Sequence, residues 1–272
     1  VSFHNCHIPF IGTEAARASC AAGETCRPPD PGADPYTDSE LDYYSCLTEL
    51  DAAVGRVLAS LASHGYDQNT MVWFTTDNGP EVNCQPLGFC EGTTQRPVLA
   101  PGTSGVLRGR KRDIYEGGHR VPGIVSWPAV VQGNRESWDL AGTIDFLPTV
   151  MDVLGVSRPE SQQAWAMDGT SILPILKGET LPERGMAWYY GMGTHGVPTV
   201  EQGFGFRFGK WKYVVGSKSC TSPDCRAPQL YDLSLDISET TNLNDTYPDV
   251  LAAIAANFSI WNASVQLSRS NE

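Results

Sequence analysis

From Thr37 onward, Leu41, Tyr44, Leu47, Leu50, Val54, Leu58 and Leu61 recur at steps of three and four residues, tracing one apolar face of a helix. Thr37 and Glu40 have the spacing of a capping box at its start, and Gly65 supplies its stop. Met71-Val72-Trp73-Phe74-Thr75 is a short continuous apolar run, as expected of a buried parallel strand. It ends at the turn signal Asp77-Asn78-Gly79-Pro80. Val121 to Trp127 reads as a second buried strand and Ala141 to Ile144 as a third. A helix follows, capped by Asp145, with Pro148 in its first turn and Gly155 at its end. Alternating strand and helix predict an α/β layer with a mostly parallel sheet. Residues 11–36, carrying Gly12, Gly23, Pro28, Pro29, Pro31, Gly32 and Pro35, read as a long loop.

After residue 156 the pattern changes. Met186 to Tyr190, Phe204 to Phe208, Lys210 to Val215 and Gln229 to Leu233 read as short strands separated by turns. A helix from about Pro248 to Leu267 carries Val250, Leu251, Ile254 and Phe258 on one side. The expected organisation is an α/β part over 1–156 and a small antiparallel subdomain with a terminal helix over 157–272. The connection of about 35 residues after Pro80 exceeds ordinary loop lengths, and loops of that size are usually functional or disordered.

Composition narrows the function classes. Asp and Glu outnumber Lys and Arg by 31 to 19, for a net charge of -12, which argues against a general nucleic-acid binder. No apolar run approaches the roughly 18 residues of a spanning helix, so no membrane span is expected. The eight cysteines include three pairs close in sequence, Cys20/Cys26, Cys84/Cys90 and Cys220/Cys225. Local loop staples are the simplest pairing among many connectivities, while Cys6 and Cys46 are left open. Zinc is disfavoured because no C-x-x-C pair occurs. Three sequons, at Asn244, Asn257 and Asn262, cluster near the end. Cysteines and sequons together predict the secretory pathway, as a secreted, extracellular or lysosomal glycoprotein. Val1-Ser2-Phe3 reads as the end of a strand already under way, so the chain is expected to be processed or part of something longer.

Three features carry candidate chemistry. Asp77 and Asn78, at a strand end, offer the hard oxygen donors that suit Ca²⁺ or Mg²⁺, or else simply close the strand in an Asx turn. Residues 106–120 concentrate Arg108, Arg110, Lys111, Arg112 and Arg120, 5 of the 19 Lys and Arg. Such focus in an acidic chain marks a local anion site, or a solvated loop with Asp113 and Glu116 as its partners. His7 stands in His4-Asn5-Cys6-His7-Ile8-Pro9, at the mouth of the first strand.

Together these segments resemble the sulfatase family. The resemblance rests on Leu107-Arg108-Gly109-Arg110-Lys111-Arg112-Asp113-Ile114-Tyr115-Glu116-Gly117-Gly118-His119-Arg120-Val121-Pro122, on Phe74 to Gly79, and on His7-x-Pro9. Leu50-Asp51-x-x-Val54-Gly55-Arg56-Val57-Leu58 and Gln229-Leu230-Tyr231-Asp232-Leu233 add to it. It implies an alkaline-phosphatase-like fold and cleavage of a sulfate ester, on a small molecule or a glycan, by a formylglycine made from Cys or Ser. It also implies that Asp77 and Asn78 are two Ca²⁺ ligands. Lys111 would bind the sulfate oxygens; His7 would bind near the bridging oxygen and, with Lys111, protonate the leaving alcohol. Arg108, Arg110 and Arg112 match the surroundings of the motif without a role of their own.

The family's nucleophile motif, Cys-x-Pro-Ser-Arg, does not occur: Cys84-Gln85-Pro86 begins correctly but continues Leu87-Gly88. The Asp-Asp pair of further metal ligands is likewise missing. Both precede the His-x-Pro strand in sulfatases, so the chain is expected to be a C-terminal portion, inactive without its N-terminal half. The alternatives are a phosphodiester or phosphonate hydrolase of the same fold, and a non-catalytic relative that binds sulfated glycans or serves as scaffold.

Overall fold

The computed structural model describes residue 3 and residues 11–26, 36–83, 98–99, 101–163, 167–189, 203–216 and 227–270. These fall into two compact units, one drawn from residues 1–70 and 79–104, the other from 71–78 and 105–272.

The first unit is built on two helices. Residues 11–36, expected as loop, contain α1 (Glu14–Ala21), whose first turn is capped by the Thr13 hydroxyl accepting from Ala16 N. A disulfide, Cys20–Cys26, closes the chain just beyond it. The Gly and Pro residues flank this helix rather than interrupt it, which is why a count over the whole segment hides it. α2 (Asp38–Ser63) begins with the expected capping box, and Gly65 follows it at φ 72°. The pair is joined by Arg17, which reaches Asp38 at 2.8 Å and Asp42 at 3.3 Å, and by Thr13 Oγ1 donating to Glu49 at 2.6 Å. The long connection also holds a ladder of its own, β2 (Val82–Asn83) against β3 (Val98–Leu99).

In the second unit, β1 (Val72–Thr75) pairs with β4 (Gly123–Ser126), between which stands the single turn α3 (Glu116–His119). The pairing is antiparallel, as is every ladder among the described residues. The expected mostly parallel sheet is therefore corrected for this portion of the fold. A parallel pair needs a long crossover, usually a helix; in the described part of this connection α3 is the sole helix and has four residues. The third predicted strand, Ala141 to Ile144, is also absent, replaced by a 3₁₀ turn over Thr143–Asp145.

α4 (Phe146–Leu154) ends at Gly155 as expected, with φ 63°. Asp145 does not cap it through its side chain. Its fully buried carboxylate instead accepts from Gly142 N, Thr170 N and Arg184 Nη2, at 2.8 to 2.9 Å. A short helix, α5 (Leu173–Lys177), leads to the C-terminal sheet.

That sheet is an antiparallel meander of β5 (Gly185–Tyr189), β6 (Phe204–Phe208), β7 (Trp211–Val215) and β8 (Gln229–Asp232). α6 (Pro248–Ser270) packs on it. Side chains alternate across a strand, so each face has its own cover. Phe204, Phe206, Tyr213, Val215 and Leu230 meet Ile254 and Phe258 of α6, with Phe204 and Phe258 stacked at 4.0 Å. Val214 and Tyr231 point the other way and bury Ile114 and Tyr115. Gly205 lies on that second face, where a Cβ would stand 3.1 Å from Ile114 O; a residue with no side chain lets the 114–116 segment approach. By length and composition α6 is apolar enough to cross a membrane. Its continuous pattern is broken by polar residues, so a search for unbroken apolar runs does not find it.

Candidate functional site

The segment from Leu107 to Pro122 is where the sequence concentrates charge, and two of its arginines are built into the fold. Arg108 is committed to the fold. Its guanidinium lies 3.8 Å over the Tyr115 ring and donates to Tyr231 Oη at 3.1 Å and to Glu239 O at 2.8 Å. Arg120 pairs with Glu116 at 3.1 Å and faces the Trp138 ring at 5.6 Å. Lys111 sits half-buried in the turn between them. That turn bends through two left-handed residues, Gly109 at φ 82° and Arg112 at φ 71°.

Glu116 partners Arg120, but from a buried position rather than in a solvated loop. Asp113 Oδ1 accepts the N–H groups of Ile114 and Tyr115 at 2.8 and 3.3 Å. Glu116 is 2 % exposed and receives Lys212 Nζ at 2.8 Å. Gly117 and Gly118 are required by close packing: a Cβ on Gly117 would fall 2.6 Å from Arg108 O, and one on Gly118 2.8 Å from Arg110 O. The Tyr-Glu-Gly-Gly stretch is thus a folding signal for the turn that presents Lys111.

Beneath the turn lies a buried charge cluster. Lys212, 0 % exposed, has its Nζ 2.8 Å from Glu116 Oε1, 3.0 Å from Glu239 Oε1 and 3.0 Å from His119 Nε2. The contact to Glu239 Oε1 is an ion pair without an aligned hydrogen bond. Burial pushes both carboxyls up, but for Glu116 the Lys212 ammonium, His119 and Arg120 outweigh it and hold the group at about 2. For Glu239 burial prevails over Lys212 and the Glu116 N–H, and its carboxyl rises to about 7. Burial first, then the Lys212 charge, lower His119 to about 3. Its neutral ring stacks on Trp188 at 3.9 Å. One ammonium between two carboxylates leaves one of them easy to protonate.

Asp77 and Asn78 stand just past β1. Asp77 is exposed and its Oδ1 accepts the Asn78 N–H at 3.0 Å, one residue on rather than the two of an Asx turn. A carboxylate accepting one hydrogen bond retains lone pairs for a cation. Thr75 pairs with Gly123, so the Asp77–Asn78 turn leaves the β1–β4 ribbon at the end where the α3 segment enters it. His7 lies outside the described residues, as do Cys6, Cys84, Cys90, Cys220 and Cys225. Among the described residues no group of three or more His, Cys, Asp or Glu side chains could hold a metal. Asp77 and Asn78 fit two places of the six to eight oxygens that Ca²⁺ takes. A cavity of about 280 Å³ lined by Met167–Thr170 and Leu181–Gly185 includes none of the residues that the sequence singles out.

Residues 1–156 match the family model described as Sulfatase. The chain belongs to the sulfatase family. Residues 109–259 also match the C-terminal model of N-sulphoglucosamine sulphohydrolase. Human arylsulfatase A is 31% identical over 271 residues, covering 92% of this chain and 46% of that protein. A solved structure from a Bacteroides thetaiotaomicron locus for metabolism of multiple glycosaminoglycans aligns with TM-score 0.62 and 27% identity. It covers 82% of this chain and 45% of that one. Ps i-CgsB in complex with a neocarrahexaose aligns over 95% of this chain and 48% of that one, with TM-score 0.72 and 19% identity, a likeness of fold. The fold is the mixed α/β, alkaline-phosphatase-like fold of sulfatases, and this sulfatase chain spans about half the length of the curated relatives it matches.

The sequence reading did not single out Lys212, Glu239 or the structural use of Arg108. One signal was available: Lys212 interrupts the otherwise apolar Trp211-Lys212-Tyr213-Val214-Val215. A Lys flanked on both sides by strand-forming apolar residues must either reach solvent or find a buried carboxylate.

Proposed function

We propose that the full-length protein hydrolyses sulfate esters, and that Lys111 is the cation that holds the sulfate. The observation that carries this reading is the turn over 108–116, whose frame is built by Arg108, Asp113 and Glu116 and whose bend carries Lys111, half-buried, within the segment that matches the sulfatase family. A Lys ammonium donates to sulfate oxygens and meets the negative charge that grows as the S–O bond breaks. His7 would protonate the departing alcohol oxygen together with Lys111, imidazole being the side chain whose ordinary titration lies nearest neutrality.

Asp77 and Asn78 would contribute oxygens to a Ca²⁺ or Mg²⁺ ion, which polarises the sulfate and offsets its charge when bound. A formylglycine supplied from outside this chain would provide the attacking oxygen. Asp77→Ala in the full-length protein is expected to lower the Ca²⁺ content measured by elemental analysis by at least about tenfold after dialysis against micromolar free Ca²⁺. Metal content equal to the wild type would remove Asp77 from the ligand set.

The substrate class is a sulfated small molecule or glycan, and the expected compartment is the secretory pathway, secreted, extracellular or lysosomal. Of the three sequon asparagines Asn257 is exposed, while Asn244 and Asn262 are half-buried and Asn262 Oδ1 accepts from Tyr189 Oη at 2.6 Å. The division into parts at 156/157 belongs to the same reading. Its test is released sulfate against released phosphate from matched aryl sulfate, phosphodiester and phosphonate esters. Faster release of sulfate supports it, preference for the phosphorus esters replaces it with a related hydrolase, and turnover of none of them favours a binding or scaffold protein.

A further inference from the structure

The turn that carries Lys111 has two feet, and both stand on one residue 123 to 131 positions away in sequence. At the first foot, Arg108 Nη1 donates to Glu239 O at 2.8 Å. At the second, Glu116 donates its backbone N–H to Glu239 Oε2 at 2.7 Å. Between them Gly117 N donates to Arg108 O at 2.7 Å, closing the turn on itself. Glu239 is 0 % exposed and held at φ 51°, a left-handed conformation that non-glycine residues adopt at a cost. Its own turn is braced by Asp236: Glu239 N donates to Asp236 O at 3.2 Å, and Thr240 N and Thr241 N donate to Asp236 Oδ2 at 2.8 Å. Lys212 then spans the carboxylates of Glu239 and Glu116.

This arrangement is more than a packing contact, because of what it fixes. Arg112 is strained within the turn at φ 71°, and a bend of this kind persists only where its surroundings determine it. Lys111 ends in a flexible stem, so the place of its Nζ depends on where the backbone launches it. A misplacement of about 1 Å in a site of this kind can cost about 10²-fold in rate. We propose that Glu239 is a positioning residue that, through Arg108 and the Glu116 N–H, holds the Lys111 turn so that the ammonium meets the sulfate group. Glu239 itself is buried away from any substrate. The inference rests on the assignment of Lys111 to the sulfate.

The test uses the full-length protein with Glu239→Ala, Glu239→Gln and Arg108→Met. Two readouts are taken below the unfolding temperature of each variant. One is the rate of reductive methylation of Lys111, followed by peptide mass mapping. The other is kcat and KM for an aryl sulfate. Glu239→Ala and Arg108→Met should each change the Lys111 labelling rate by about threefold or more and lower kcat by about tenfold or more. Glu239→Ala keeps the main-chain oxygen that Arg108 reaches and removes the side-chain acceptor of the Glu116 N–H, whereas Glu239→Gln keeps both and should return kcat to within about threefold of the wild type.

Wild-type labelling and kcat in a folded Glu239→Ala protein would overturn the proposal, and so would a Glu239→Gln protein as impaired as Glu239→Ala. If Glu239→Ala does not fold, Arg108→Met decides: wild-type labelling and kcat there would overturn the tether. Labelling that depends on Glu239 in a protein with no sulfate-ester turnover would retire the sulfate reading and leave the positioning role standing.

Discussion

Lys111→Ala in the full-length protein is expected to lower kcat for sulfate-ester hydrolysis by about 10²–10³-fold, the usual cost of removing one donor aimed at a developing charge. The loss should fall in kcat more than in KM, because the ammonium is worth most once the S–O bond has begun to break. The unfolding midpoint should move by no more than about 2 °C. The reason is local: Arg108, Asp113, Glu116 and Glu239 carry the hydrogen bonds that build the turn. Lys111→Arg should recover little, since a broad guanidinium fork does not replace a compact ammonium at the same bend. Initial rates of sulfate release alongside a thermal melt check both halves of this expectation. Unchanged turnover in Lys111→Ala would take the residue out of the mechanism.

The largest stability effect is expected below the turn. Lys212→Met keeps the apolar stem and removes the ammonium, leaving Glu116 and Glu239 buried without their shared cation. Breaking a buried pair by removing one partner costs roughly 3–5 kcal/mol, which corresponds to an unfolding midpoint lower by roughly 10 °C. The deficit should depend on pH with a definite sign. Lys212 holds both carboxyls down, so its loss raises Glu116 from about 2 and lifts Glu239 further above the ordinary value of 4.5. A carboxyl whose folded value is raised contributes stability that is present below the unfolded value and lost as pH rises through the folded one. The variant should therefore lie closer to the wild type at pH 5 than at pH 8. Arg120 and Arg207, which also face Glu116, oppose that rise and limit it, while loss of the Lys212 charge releases part of the depression of His119, whose protonation beside Glu116 favours low pH as well. Urea unfolding at the two pH values measures the difference. Equal deficits at both would mean that Lys212 acts through packing rather than charge.

Local chemistry was legible in the sequence wherever neighbouring residues decide the structure. Thr37 and Glu40 set the start of α2, Gly155 ends α4, and the apolar alternation of β6 and β7 marks the C-terminal sheet with its packing helix. What escaped depends on partners far along the chain. The apolar run ending at Thr75 reads equally well as a parallel or an antiparallel strand, and only its pairing with Gly123 to Ser126 decides. Asp145 stands where a cap belongs, yet Arg184, 39 residues on, claims its carboxylate. Arg108 looks like part of an anion site until Tyr231 and Glu239 are brought against it.

The candidate site divides in the same way. Composition marked the basic segment as an anion site and the resemblance to sulfatases singled out Lys111 within it, while Asp77-Asn78 stood out by its position at a strand end. Neither signal revealed that Glu239 and Lys212 underlie the turn, because Glu239 sits in a polar stretch that resembles any surface loop. Its burial follows from the second face of the sheet, where Gly205 and Val214 admit the Ile114–Glu116 segment and draw Glu239 in with it.

The most direct measurement is peptide-mapping mass spectrometry, under reducing conditions, of the protein purified from its source. A peptide upstream of Val1 in which a Cys or Ser has become formylglycine is the result expected of a sulfate-ester hydrolase completed by a second half. An upstream half whose corresponding position is substituted and unmodified would contradict the catalytic account and leave a sulfatase-fold protein that binds without hydrolysing.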